Sequence, residues 1–245
     1  MRKEYKYVVR TADLLSLRER LRPYLTPDPL AKTNGGGYYT VRSIYYDTAS
    51  LQFYREKVEG LAQRRKVRVR VYNEKQKNSL AFLEIKRKDR EFIFKTRAPV
   101  PVEDLDLLFS SGDAEHLVAP LQGFPHAVDH ARNFLFHLRA SRLLSTSLVT
   151  YDREAYQCRY DTGLRITFDM NLRCSLRPSL EEIWDEELLE PSMQGFAVLE
   201  VKFFRGLPSW LKHVIEERGL RRQAVSKYCI GLDVCGVENA TRSVV

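Results

Sequence analysis

Along much of the chain, apolar and polar positions alternate one by one, the period of a strand with one covered face. KVRVRVY sets Val67, Val69 and Val71 against Arg68, Arg70 and Tyr72. AFLEIKRK sets Leu83 and Ile85 against Glu84 and Lys86, and AVLEVKFF sets Ala197, Leu199, Val201 and Phe203 against Glu200 and Lys202. In GLRITFDM, Leu164, Ile166 and Phe168 oppose Arg165, Thr167 and Asp169. The first strand, MRKEYKYVV, puts Glu4 and Lys6 together, and EFIFKTRAPV offers Lys95 and Arg97. YTVRSIYYDT and SLVTYDREAYQ read as further strands. RRKVRVRVY, LAFLEIKRK and EFIFKTRAPV form a meander with the turn-like NEKQKNS and KDR between them.

Helical spacing appears in three places. A helix is expected from about Ala12 to Tyr24, with Thr11 as N-cap and Leu14, Leu17 and Leu21 on one face, ended by Pro27 and Pro29. The glycine-rich TNGGGYY then connects to the next strand. Residues 103–140 change character, and EDLDLLFSSGD, APLQGFP and AVDHARNFLFHLRAS suggest a helical insertion packed outside the sheet. At about 208–236, PSWLKHVIEERG carries Pro208 near its first turn and Gly219 at its end, and a last helix lies near AVSKYCIGLDVC. No linker and no solenoid period interrupts the chain, so a single domain over 1–245 is expected.

These elements give an α+β fold. One solvated face of an antiparallel sheet would also produce alternation. Solvated faces, however, usually mix Thr, Ser, Lys, Glu and Gln, whereas here Arg and Lys dominate at one parity on nearly every strand. About eight such strands can avoid exposed edges by closing into a barrel, apolar face outward under the helices and charged face lining a lumen. Converging cations in such a confined space repel one another unless an anion fills it.

Composition sharpens this. The 245 residues are 44% hydrophobic, enough for a sizeable core, and carry a net charge of +8, which favours an anionic partner. RRKVRVR resembles a nucleic-acid patch, but an interior parity would hide its arginines from a duplex, so nucleic acid is disfavoured. The charged N-terminus is no signal peptide and no run approaches the roughly 18 apolar residues of a spanning helix. A cytoplasmic protein is expected. Cys158, Cys174, Cys229 and Cys235 lack metal or disulfide spacing and read as reduced thiols. His126 and His130 have no HExxH glutamate and read as helix-surface or packing residues, as Trp184 and Trp210 read as packing. TNGGGYY lacks the Gly-Lys-Ser/Thr of a P-loop, and Ser226 lacks triad partners; Tyr45, Tyr46 and Asp47 read as strand packing followed by a turn, with a place near a tunnel mouth as the alternative.

Taken in order, MRKEYKY, VRVRVY, LEIK, KTR, YDREAYQ, LRITFD, LEVK, LPSWL and SKY resemble the VTC domain, the polyphosphate-polymerase branch of the triphosphate tunnel metalloenzymes, over almost the entire chain. The resemblance implies an eight-stranded antiparallel closed tunnel. It implies that Lys6, Arg68, Arg70, Lys86, Arg153, Arg165, Ser226 and Lys227 bind a triphosphate or growing polyphosphate. Lys95, Lys202 and Tyr151 also match tunnel positions, and Arg97 shares the strand of Lys95. Glu200 matches a divalent-metal ligand, for Mn²⁺ or Mg²⁺, with Glu4 and Glu84 as possible helpers. Arg2 stands where related enzymes begin E-x-E-x-K, and Ala224 where the eukaryotic pattern has a basic residue. The activity implied is transfer of the γ-phosphoryl of ATP to polyphosphate. An inorganic triphosphatase and a non-catalytic polyphosphate-binding module are the alternatives, and a membrane-protein partner is a further possibility.

Overall fold

The computed structural model describes residues 2–32 and 37–236. Most of the expectation for TNGGGYY therefore lies outside the described residues. Among the described residues ten strands form: β1 Lys3–Arg10, β2 Leu25–Pro27, β3 Tyr39–Asp47, β4 Gln63–Tyr72, β5 Leu80–Asp89, β6 Phe92–Pro101, β7 Leu144–Cys158, β8 Arg165–Leu176, β9 Glu190–Pro191 and β10 Phe196–Phe203. The helices are α1 Leu14–Leu21, α2 Pro29–Lys32, α3 Gln52–Val58, α4 Leu105–Ser111, α5 Ala114–Leu117, α6 Ala127–Ala140, α7 Ser209–Glu217 and α8 Lys227–Cys235.

The strands hydrogen-bond in the order β1-β10-β8-β7-β3-β4-β5-β6, with β2 on β7 and β9 on β8. β1–β10, β10–β8, β2–β7, β3–β4, β4–β5 and β5–β6 are antiparallel. The expectation of a closed eight-stranded barrel is corrected here. Eight strands do lie on the main path, but two short ones are added, and among the described residues the path ends at β1 and β6. Closure requires tilt and stagger that match at both edges, a property that alternation within single strands does not specify.

The chain forms two compact units, one of Met1–Thr40, Tyr151–Arg173 and Pro191–Lys227, the other of Val41–Thr150, Cys174–Glu190 and Tyr228–Val245. In the first, Tyr7, Val9, Ile166, Phe168, Leu199 and Val201 pack with Leu14, Leu17 and Leu21 of α1 and with Leu211, Val214 and Ile215 of α7. In the second, Val67, Val69, Val71, Leu83 and Ile85 pack beneath α4 and α6, whose Leu105, Leu108, Ala131, Phe134 and Leu135 cover them. The helical insertion thus shields the apolar parity, as its amphipathic pattern requires. Each buried Leu or Val is worth about 1.5–3 kcal/mol relative to exposure, so this parity is strongly fixed.

Two local readings change. The helical stretch near Ala12–Tyr24 is α1 between 3₁₀ turns at Thr11–Asp13 and Arg22–Tyr24, and Thr11 does not cap it. Its hydroxyl donates instead to the Gly195 carbonyl at 3.2 Å. Asp47, expected in a turn, caps α3: its Oδ1 accepts from Phe53 N at 2.9 Å and its Oδ2 from Tyr54 N at 2.9 Å. Among the described residues the four cysteines form no disulfide, Trp210 stacks on Tyr24 at 4.1 Å, and Trp184 Nε1 donates to Asn73 O at 3.1 Å.

Candidate functional site

In each unit, the parity opposite the apolar core carries a charge cluster. In the first unit, strand register sets Glu4, Lys202 and Arg165 in one row and Lys6, Glu200 and Thr167 in the next. Val8, Val198 and Asp169 follow. Lys6 Nζ lies 3.3 Å from Glu4 and 3.5 Å from Glu200, and Lys202 pairs with the other Glu200 oxygen. Asp169 accepts a two-pronged contact from Arg153, at 2.5 and 2.7 Å, and meets Lys227 Nζ at 2.5 Å. Both of these cations also sit over the Tyr151 ring, Arg153 Cζ at 5.2 Å and Lys227 Nζ at 4.6 Å from its centroid. Arg165 turns to Asp28 at 3.2 Å and Tyr39 at 3.3 Å, while its buried Nε has no hydrogen-bond partner among the described residues.

Burial would push these carboxyls up, but the neighbouring cations win. Lys202 and Lys6 hold Glu200 well below the usual carboxylate range, and Arg153 and Lys227 bring Asp169 to about 2. Against the same burial, Glu200 and Glu4 raise Lys6, and Asp169 keeps Arg153 well above its ordinary value. Lys202 moves the other way because its burial outweighs the attraction of Glu200.

The second unit repeats the logic with a larger excess of positive charge. Register places Lys66, Lys86 and Lys95 in one row of β4, β5 and β6, and Arg68, Glu84 and Arg97 in the next. Arg70 lies one row further on, its Nε donating to Ser43 Oγ at 3.0 Å. The buried Glu84 is met by Arg68 at 2.6 Å, Lys95 at 2.8 Å and Arg97 at 3.1 Å. It is the one carboxylate among the described residues of these three strands at this parity, against Arg64, Lys66, Arg68, Arg70, Lys86, Lys88, Lys95 and Arg97. Burial alone would raise Glu84; Arg68, Arg70 and Lys95 depress it well below the usual range. His130 supports this row from α6, its Nδ1 lying 3.1 Å from the Arg97 carbonyl. That agrees with a packing role.

Sequence reasoning passed over several members. Asp169 shares parity with Arg165 and Thr167, so its place on the charged face was visible, but its partners were not. Asp28 follows a proline in a connection and gave no signal. Tyr45, read as packing with a tunnel-mouth place as the alternative, is buried, and its hydroxyl accepts from Arg68 Nη1 at 3.0 Å while its ring stacks on Tyr228 at 4.9 Å. Burial would raise its phenol, but Arg68, Lys66 and Arg70 bring it down to about 7. Ser226 is buried immediately before α8, and Lys86 is half-buried in the row of Lys66 and Lys95. Glu84 belongs to the second unit, where it anchors three cations, whereas Glu4 and Glu200 share Lys6 in the first. Among the described residues no three His, Cys, Asp or Glu gather as a ready-made metal cage.

A family model, the VTC domain, matches residues 1–235, and the chain belongs to that family. No curated protein matches it.

Proposed function

We propose that this member of the VTC domain family is a phosphotransferase that extends inorganic polyphosphate from ATP. The observation that carries the reading is the row structure of β4, β5 and β6, eight cations against one buried carboxylate. Such a face is poorly balanced by protein charge and well suited to a polyanion. Arg68, Arg70 and Arg97 offer planar forks that match phosphate oxygens, and Lys86 and Lys95 offer point charges. In the first unit, Arg153, Lys227 and Lys202 supply the same chemistry, and the unpartnered Nε of Arg165 is a donor suited to a phosphate oxygen.

In the reaction, the terminal oxygen of the chain attacks the γ-phosphorus of ATP, the bond to the β,γ-bridging oxygen breaks, and ADP leaves. The transition state is loose, so positioning and neutralisation of oxygen charge supply most of the catalysis. A terminal phosphate is already anionic near neutral pH and needs no strong base. The carboxylates at hand suit that requirement, since Glu84, Asp169 and Glu200 are all cation-paired and held at low pKa, hence weak proton acceptors. This supports transfer over hydrolysis, in which a group must orient and deprotonate water.

Mg²⁺ and Mn²⁺ commonly use one or two carboxylates and complete their shell with substrate phosphate and water. Glu200 with Glu4 fits that donor set, though only as a shared site, because Lys6 bridges the two carboxylates. When bound there, the ion would draw negative charge from phosphate oxygens. Lys6 and Lys202 would then orient the same anion.

The test is incubation of purified protein with labelled ATP and Mn²⁺ or Mg²⁺, with and without a short phosphate primer. Long acid-labile chains are expected. Orthophosphate alone would make the protein a triphosphatase, and tight tripolyphosphate binding without turnover would make it a binding module.

A further inference from the structure

The β5–β6 hairpin ends in an apolar tip that the phosphate chemistry does not use. Phe92, Ile93 and Phe94 are 63%, 46% and 52% exposed. Their pairing with Asp89, Lys88 and Arg87 means that Phe92 and Phe94 face one side of the hairpin and Ile93 the other. The turn residue Arg90 donates its backbone N–H to Ala62 O at 3.0 Å, which brings the segment after α3 alongside. That segment adds Leu61, 46% exposed, and the last residue of α3 adds Val58, 60% exposed. Five large apolar side chains therefore stand in water at one end of the second unit, more than scattered surface residues would give.

Next to this tip lies a cavity of about 330 Å³ whose lining includes Arg64, Arg65, Arg87, Lys88 and His137. Glu56 meets Arg65 there at 3.6 Å and Asp89 meets Gln63 at 3.4 Å, so acidic groups offset only part of the basic lining. Arg87 also lies over the Phe94 ring, its Cζ 5.2 Å from the centroid, which joins the basic and apolar parts of the patch.

We propose that this end of the second unit docks on an anionic phospholipid surface, the tip residues entering the headgroup region while the basic cavity receives lipid phosphate. Apolar groups flanked by Arg and Lys are the combination that binds such a surface. The chemistry argues against two other occupants. A second copy would bring a chain of net charge +8 against an equally charged one. A protein surface packing on one side of the hairpin would leave either Ile93 or the two phenylalanines uncovered, whereas an interface of lipid surrounds both. The proposal is independent of the phosphotransferase reading.

The experiment is co-sedimentation of the full chain with vesicles of phosphatidylcholine alone and of phosphatidylcholine mixed with phosphatidylglycerol. Binding is expected to the anionic vesicles only. A Phe92→Ser, Phe94→Ser variant should bind about tenfold more weakly or worse with an unchanged thermal midpoint, since both side chains are already solvent-exposed. In Phe92→Trp, emission beyond the background of the two native tryptophans should shift to the blue on anionic vesicles and be quenched by brominated lipid chains. The proposal is overturned if the wild-type chain stays in the supernatant, or if the serine variant sediments as well as wild type. It is equally overturned if the chain self-associates through these residues, with the serine variant abolishing the dimer, because the occupant would then be a second copy.

Discussion

Arg153 and Asp169 are joined at both prongs, Nε to Oδ1 at 2.5 Å and Nη2 to Oδ2 at 2.7 Å, with both side chains almost wholly withdrawn from water. Lys227 is the third member of the group. Substituting Asp169→Asn leaves two buried cations facing an uncharged amide. A loss of about 3–5 kcal/mol in urea unfolding is expected, the usual cost of breaking a buried pair from one side. A loss near zero would mean that the group is not desolvated.

The same carboxylates set an acid limit. Asp169 falls from 3.8 to about 2 on folding, and Glu84 and Glu200 are also depressed. A carboxyl with a lowered folded pKa stabilises fully above its unfolded value and loses that contribution as pH falls through the folded one. Stability should therefore hold down to about pH 4.5 and drain away toward pH 2. Urea midpoints across that window test this, and Asp169→Asn should flatten part of the slope.

Tyr45 should titrate near neutrality, since its phenol is brought to about 7. Ultraviolet difference spectra should show one tyrosinate forming around that pH, absent in Tyr45→Phe. This folded pKa is also depressed, so its stabilising contribution grows as pH rises from about 7 toward the ordinary tyrosine value of about 10. Tripolyphosphate bound to Arg68 would compete with the phenolate and should move the transition to higher pH. A phenol that stays protonated through pH 9 would contradict the cation placement around it.

Glu84 holds Arg68, Lys95 and Arg97 together. Glu84→Gln should cost about 3 kcal/mol or more, and saturating tripolyphosphate should return much of it by binding the folded state. Thermal shifts with and without the anion measure both effects. If the anion stabilises the variant no more than it stabilises an unrelated basic protein, this row does not bind phosphate.

Glu200→Gln separates binding from turnover. Metal-dependent chain synthesis should drop on the order of 10²-fold or more, while tripolyphosphate binding is kept or strengthened by removal of a negative charge. Calorimetry beside the labelled-ATP assay reads the two quantities. Undiminished synthesis would remove Glu200 from the reaction.

Period-two alternation made the strand faces legible. Val67, Val69 and Val71 lie in the core and Arg68 and Arg70 on the charged face because a one-residue slip would bury the arginines against α4 and α6. What alternation lacks is the identity of neighbours across strands. Glu84 meets Arg68 and Arg97 only because β4, β5 and β6 adopt one register, and Asp169 meets Arg153 and Lys227 from distant parts of the chain. Arg42 was hidden for another reason. It shares parity with the core residue Ile44, yet its guanidinium reaches Glu74 at 2.6 Å, the Asn73 carbonyl at 3.3 Å, and Glu186. The absent Thr11 cap has the same kind of origin, a tertiary contact with Gly195 that the local sequence does not contain.

The rows of β4, β5 and β6 have a consequence in ordinary buffer. A face so rich in fixed positive charge gathers mobile chloride, sulfate or orthophosphate around itself, and any incoming chain must displace that cloud. On the proposed function, capture would be an exchange of small ions for one long polyion, driven partly by the entropy of the ions released. Its strength should weaken steadily as background electrolyte is added, and long chains, which release more ions per binding event, should keep their grip longest.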